Sequence, residues 1–196
     1  MTSAHEVNSE TYRARLSSIA ALIHDADRPV LVGIDGRSGS GKTTFAAWLA
    51  RELHPLTVTS FEVEDFIGGW HALTRDIAKV GAIAEGIQRD GHATATPWDW
   101  VNGKWAVPID VSGRADVVLV VGCGSTSRSV RPHLDVTVWI EVEDEVRRQR
   151  VEARDPYDWS EFWDVWAAQE HALLAECPSN ELADVIIRPD TAPARQ

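Results

Sequence analysis

The chain has 196 residues, 44% hydrophobic and 25% charged, which suits one folded domain with its own buried core. Its 30 acidic residues against 19 basic ones leave a net charge of −11, which argues against general binding to nucleic acid or an anionic membrane, since both need a basic face. The two cysteines, Cys123 and Cys177, form no C-x-x-C pair, so neither a disulfide framework nor a zinc ribbon is expected and a reducing, cytoplasmic setting is.

Residues 1–10 are polar and acidic, unlike a signal peptide. Over residues 10–27, Leu16, Ile19, Ala20 and Ile23 recur at helical spacing, and Pro29 ends that pattern. Val30-Leu31-Val32-Gly33-Ile34 then reads as a strand buried on both faces. A glycine-rich segment follows, then a helix over about residues 43–53 and a β-branched-rich second strand over 56–61. Residues 62–70 form a turn-rich loop. A helix extends from there to about residue 89, with Ile77, Val80, Ile83 and Ala84 on its inner face. Residues 91–113 read as irregular apart from a short hairpin near 104–107. Two more buried strands are expected at 117–121 and 136–140, helices at 143–154 and 159–176, and a last strand at 185–187. The longest apolar run, 117–121, is far too short to span a bilayer.

Five apolar strands separated mostly by helices indicate the α/β class, with a parallel sheet covered on both faces. No repeat or low-complexity linker interrupts the chain. Residues 1–196 are therefore expected to form a single domain with an N-terminal helix (about 10–27), an irregular substrate-side insertion (about 62–113) and a lid region (about 143–160). Oligomeric state is left open.

Gly36-x-x-x-x-Gly41-Lys42-Thr43 fits the Walker A pattern. Its backbone N–H groups must turn inward around a phosphate, which calls for residues that adopt φ > 0 without a Cβ clash. The helix that follows aims its free N–H groups and positive dipole end at the same anion. Gly36, Arg37, Ser38, Gly39, Ser40, Gly41, Lys42, Thr43 and Thr44 are thus the expected ATP-binding segment. Lys42 would supply a charge for the β- and γ-phosphates, and the Thr43 hydroxyl a ligand for Mg2+. No guanine-reading N-K-x-D or T-K-x-D motif is present, which turns the reading from a GTPase to a small-molecule kinase.

The segment Gly33-Ile34-Asp35-Gly36-Arg37-Ser38-Gly39-Ser40-Gly41-Lys42-Thr43-Thr44 resembles the opening of uridine kinase-like nucleoside kinases, in particular the bacterial uridine kinase-like ATP-binding proteins. The likeness extends over roughly residues 30–190. Glu64-Asp65-Phe66-Ile67-Gly68-Gly69-Trp70 resembles that family's Asp-Asp-aromatic loop leading to Gly-Trp, and Trp98-Asp99-Trp100 its Tyr-Asp-Trp segment. Arg147, Arg148, Arg150 and Arg154-Asp155 resemble its arginine-rich lid helix, and residues 159–170, with Trp163, Trp166 and Glu170, its tryptophan-containing C-terminal helix. The resemblance implies a P-loop NTPase fold, a three-layer α/β/α sandwich, using ATP and Mg2+ to phosphorylate a small-molecule acceptor.

Glu64 matches the first acidic position of the family loop, which implies the base that takes or orients the acceptor's hydroxyl proton; Asp65 would assist through Mg2+ or substrate. A solvated acidic loop is the plainer alternative. Arg147, Arg150 and Arg154 recur at three- and four-residue steps, so one helical face could carry them to the transferring phosphoryl group, with Arg150 on ATP and Arg154 catalytic; pairing with Glu143, Glu145 and Glu152 on an exposed helix is the alternative. Trp159, Phe162, Trp163, Trp166, Leu173 and Leu174 form a helical stripe expected to pack in the core, and Trp48 and Trp139 are expected to be structural. Trp70, Trp98 and Trp100 sit in loops, with Asp99, and could wall a flat acceptor such as a nucleobase. His71 and His92 have no metal-like spacing.

Three departures stand out from the family pattern. Val121 occupies the strand end where the family has Glu before Gly, Ile67 replaces a tyrosine and Glu64 replaces an aspartate. A nucleoside-like acceptor is the leading expectation. A catalytically weakened ATP-binding sensor or partner module, and a kinase for a different metabolite, remain alternatives.

Overall fold

The computed structural model describes residues 9–24, 29–154 and 160–189. Asp155 and Trp159, two of the residues singled out above, lie outside them. The elements run α1 (Ser9–His24), β1 (Val30–Asp35), α2 (Lys42–Glu52), β2 (Val58–Glu62), a 3-10 turn (Val63–Phe66), α3 (Leu73–Asp90), β3 (His92–Ala95), β4 (Trp98–Asp99), β5 (Lys104–Trp105), β6 (Ile109–Ser112), β7 (Val117–Val121), a 3-10 turn (Arg131–His133), β8 (Val136–Ile140), α4 (Asp144–Arg154), α5 (Ser160–Glu176), α6 (Ser179–Leu182) and β9 (Val185–Ile187).

Five strands form one all-parallel sheet in the order β2-β7-β1-β8-β9, the expected α/β architecture. The buried apolar side chains divide into two clusters. Val30, Val32 and Ile34 of β1, with Val117, Leu119 and Val121 of β7, pack toward α1 and α2 through Ile19, Ile23, Phe45 and Leu49. Leu31, Val118 and Val120 point the other way and meet Ile77, Val80, Ile83 and Ala84 of α3 and Trp166 and Leu173 of α5. Alternation along a strand thus assigns odd and even residues to opposite helical layers, which is why β7 is apolar throughout and β1 and β8 nearly so, with Asp35 and Thr137 the polar exceptions. Burying each such Val, Leu or Ile contributes about 1.5–3 kcal/mol. Among the described residues no helix is long and apolar enough to cross a membrane.

Residues 91–113 are more regular than expected. β3 pairs with β6 in antiparallel register from His92↔Ser112 to Ala95↔Ile109, and β4 pairs with β5 at Trp98↔Trp105 and Asp99↔Lys104. The strands have two to four residues each, too short to stand out as strands from their pattern alone. The α5 stripe also differs from expectation. Trp166 and Leu173 are buried, but Phe162, Trp163 and Leu174 are only partly so, and Glu170 is buried instead.

Candidate active site

β1, at the centre of the sheet, ends at Asp35, and the chain turns through residues 36–41 into α2. Asp35 is buried and accepts four hydrogen bonds: from the N–H groups of Gly36 (2.7 Å), Gly124 (2.9 Å) and Thr126 (2.9 Å), and from the Thr126 hydroxyl (2.8 Å). Burial pushes its pKa up despite those bonds, so the carboxylate depends on them to stay charged. It ties the phosphate loop to the segment after β7. Gly39 adopts φ 81°, and a Cβ there would come within 2.4 Å of the Arg147 carbonyl oxygen, so the loop lies directly on α4. Arg147, 1% exposed, donates to the Ser38 carbonyl at 2.8 Å and to Asp144 at 2.7 Å.

Lys42 is buried, and its Nζ donates to the carbonyls of Gly36 (2.8 Å) and Arg37 (3.3 Å) and to Cys123 Sγ (3.3 Å). Burial disfavours its charge, but Cys123, Glu64, Glu170 and Asp35 around it outweigh that and raise its pKa. Burial drives the Cys123 thiol well above its ordinary value, against the pull of Lys42, so at neutral pH it is an S–H that donates to Glu170 Oε1 at 3.2 Å.

A cavity of about 970 Å³ opens over this loop. Ser38, Gly39, Gly41, Lys42, Thr43 and Thr44 line one side, and Arg150 and Arg154 of α4 overhang it. Gly36, Arg37 and Ser40 are not on its wall. The lid-helix arginines therefore divide. Arg147 braces the loop from beneath, Arg150 and Arg154 reach the cavity, and it is Arg148 that pairs with Glu152, at 3.1 Å.

Glu62, Glu64 and Asp65 also line the cavity, and Glu62 and Glu64 stand within electrostatic reach of Lys42. Glu64 Oε1 accepts the Cys123 N–H at 3.4 Å, and its backbone carbonyl accepts Trp100 Nε1 at 3.0 Å, so side chain and backbone are both anchored. Gly122, at φ 143°, makes room for it: a Cβ there would stand 2.5 Å from Glu64 Oε2 and 2.5 Å from Val63 Cβ. Asp65 is exposed, and partial desolvation raises its pKa.

Glu62 was not among the expected site residues. It ends β2 in register with Val121 of β7, whose side chain is fully buried in the core. The carboxylate missing from the end of β7 is thus matched by one on the neighbouring strand end, facing the same cavity. Burial, then the charges of Glu64 and Asp65, push Glu62 up to about 7, with Lys42 opposing. The usable signal was its strand-final place beside two more acids; it was obscured because β2 ends one residue later than its apolar pattern.

Trp70, Trp100, Val101, Phe162 and Trp166 complete the wall. Trp70 stacks on Phe162 with centroids 4.9 Å apart and planes 8° apart, and meets Trp100 and Trp166 edge-on at 5.1 and 5.9 Å. Trp98 and Asp99 are not on this wall. Trp98 packs edge-on against Trp105 at 5.1 Å, and the Asp99 carboxylate closes its own turn by accepting the N–H groups of Val101 and Asn102, both at 3.0 Å.

No protein-family model matches the sequence, and no curated protein sequence matches it. Solved structures do match. A candidate uridine kinase from Bacillus stearothermophilus aligns with a TM-score of 0.64 over 91% of this chain and 100% of that one, at 21% identity. A candidate fructose transport system kinase from Silicibacter sp. aligns with a TM-score of 0.65 over 91% and 100%, at 16% identity. D-glycerate 3-kinase from Cryptococcus neoformans gives a TM-score of 0.54 over 90% and 89%, at 13% identity. The fold is that of the uridine kinase-like P-loop kinases. In this P-loop kinase fold the cavity lies outside the carboxyl ends of β1, β2 and β7, where open α/β sheets bind their ligands.

Proposed function

We propose that the protein is an ATP-dependent kinase acting on a hydroxyl of an uncharged, nucleoside-like small molecule. The observation that carries this reading is one cavity lined by Lys42 and Thr43 at the start of α2, by Glu62, Glu64 and Asp65, and by an aromatic wall. Lys42 and the loop amides hold the β- and γ-phosphates, and Arg150 and Arg154 offset charge on the moving phosphoryl group. Glu64 accepts the proton as the acceptor oxygen forms its bond to the γ-phosphorus and the bond to the β–γ bridging oxygen breaks, releasing ADP.

The donor set suits Mg2+. Thr43, Glu62, Glu64 and Asp65 offer only oxygen. That matches an ion held by one or two side chains, water and phosphate. Bound, it would neutralise phosphate charge. Asp65 and Thr43 would hold it, with Glu62 orienting its waters.

Three carboxylates lie on the acceptor side, and Lys42, Arg150 and Arg154, the only basic side chains on the described wall, serve the triphosphate. An acceptor bearing its own carboxylate or phosphate, as glycerate does, would meet repulsion. The aromatic wall instead favours a flat, neutral group.

A panel of nucleosides, sugars and sugar acids with Mg-ATP tests this. At least one neutral acceptor should yield a phosphorylated product, and Glu64→Gln should lower that rate by roughly 10²–10⁴-fold. Buried Val121 supports a second reading, an ATP-binding module without transfer. ATP binding with no product from any acceptor would establish it and overturn the first.

A further inference from the structure

Phe162, Trp166 and Glu170 recur every four residues along α5, on one face of the helix. The first two line the acceptor end of the cavity. Glu170, one turn further on, is only 5% exposed and sits under the phosphate loop. Its Oε1 accepts the Ser38 N–H at 2.7 Å and the Cys123 thiol at 3.2 Å, and its Oε2 accepts Arg37 Nε at 3.3 Å. Cys123 Sγ in turn accepts Lys42 Nζ at 3.3 Å.

The two peptide units that flank Ser38 are therefore held by different helices. Glu170 of α5 holds the Ser38 N–H, and Arg147 of α4 holds the Ser38 C=O at 2.8 Å. Glu170 makes its shortest bond to a loop amide and reaches Lys42 through the Cys123 thiol. A buried carboxylate is costly to desolvate and is kept only where several donors compensate it.

We propose that Glu170 is a positioning residue: it sets the Arg37–Ser38 peptide and, through Cys123, the resting place of Lys42, and so couples the phosphate loop to the helix that forms the acceptor wall. The proposal rests on the nucleotide-binding reading only for the ligand that reports it. Peptide orientation decides which loop amides face the phosphates, so loosening Ser38 should weaken nucleotide binding without a change in any group that touches the nucleotide.

The test compares wild type, Glu170→Gln and Cys123→Ala in two measurements, at a temperature where each is fully folded. Calorimetry with Mg-ADP should show roughly tenfold weaker binding for Glu170→Gln and roughly threefold for Cys123→Ala. Hydrogen exchange on the nucleotide-free proteins should show faster exchange over residues 36–43 in Glu170→Gln, more than over α5 itself. Mg-ADP affinity within twofold of wild type, or faster exchange confined to α5, would overturn the proposal and leave Glu170 as an anchor of the helix. If Glu170→Gln does not fold, Cys123→Ala decides on the same criteria, since it cuts the link to Lys42 while leaving the carboxylate in place. Failure of wild type itself to bind Mg-ADP counts against the nucleotide reading, and the exchange measurement still decides on Glu170.

Discussion

The phosphate side and the acceptor side of the cavity are built on different plans. The loop over residues 36–43 is contiguous, holds the buried Lys42 within it, and is braced by three further buried charged side chains, Asp35, Arg147 and Glu170, each with several partners. The acceptor side draws on β2, the 3-10 turn after it, the loop ahead of α3, the ribbon after β4 and α5, and most of its side chains are partly exposed. The first arrangement suits a constant ligand, a triphosphate. The second leaves side chains that can be exchanged without disturbing the core, which is how one fold comes to host many acceptors.

Four changes would break or sharpen that contrast. The largest is Asp35→Ala, which leaves the amides of Gly36, Gly124 and Thr126 buried without their acceptor. It should cost about 3–5 kcal/mol of unfolding free energy in a denaturant titration. A cost below about 1 kcal/mol would mean that the loop is less tightly braced than its bonds indicate.

Next is Lys42→Ala, expected to lower phosphoryl transfer by roughly 10²–10³-fold in single-turnover assays, the scale of removing one charge from a transferring phosphoryl group. Trp70→Ala acts on the other plan. It removes the stack on Phe162 and the edge contacts to Trp100 and Trp166, so stability should fall by about 1–2 kcal/mol. Acceptor KM should rise about tenfold while ATP KM changes less than twofold. Equal shifts in both would erase the division between the two sides.

The smallest effect concerns Glu62 and pH. Its folded-state pKa of about 7 lies above its ordinary value of 4.5, so the stabilising state is the protonated one. The contribution is complete below about pH 4.5 and is lost as pH rises through 7. Glu62→Gln should therefore gain in melting temperature relative to wild type between those values, and Mg2+ with ADP should narrow the gap near neutral pH. A constant difference across that range would show that Glu62 does not titrate there.

The parts of this protein legible in its sequence are those whose physics is local. The Walker A segment combines glycine conformations, a helix start and a lysine within eight residues, so the residues alone define the cradle. The strands β1, β7 and β8 were equally clear, because burial on both faces leaves a run that is apolar but for Asp35 at the end of β1 and Thr137 in β8. The acidic loop and Trp70 were found through a family resemblance, and they do share one cavity with the P-loop.

What only the tertiary structure decided depends on pairings across large sequence separations. The match of Glu62 to Val121 follows from β2 and β7 lying side by side, and strand order leaves no local trace. Phe162 and Trp166 read as core by helical spacing; Trp166 is buried in the core and also walls the cavity, whereas Phe162 is only partly buried there, because the same stripe serves either use until α5 has been packed. Arg147 reads as one of three arginines on a lid-helix face and Glu170 as part of a tryptophan-containing helix, and neither reading supplies its partner. Each is buried because it closes a hydrogen bond to a loop over 100 residues away, 109 for Arg147 and 132 for Glu170, and burial of a charge is set by the partner it meets. The cradle first legible as eight consecutive residues is held in shape by side chains that only the fold brings to it.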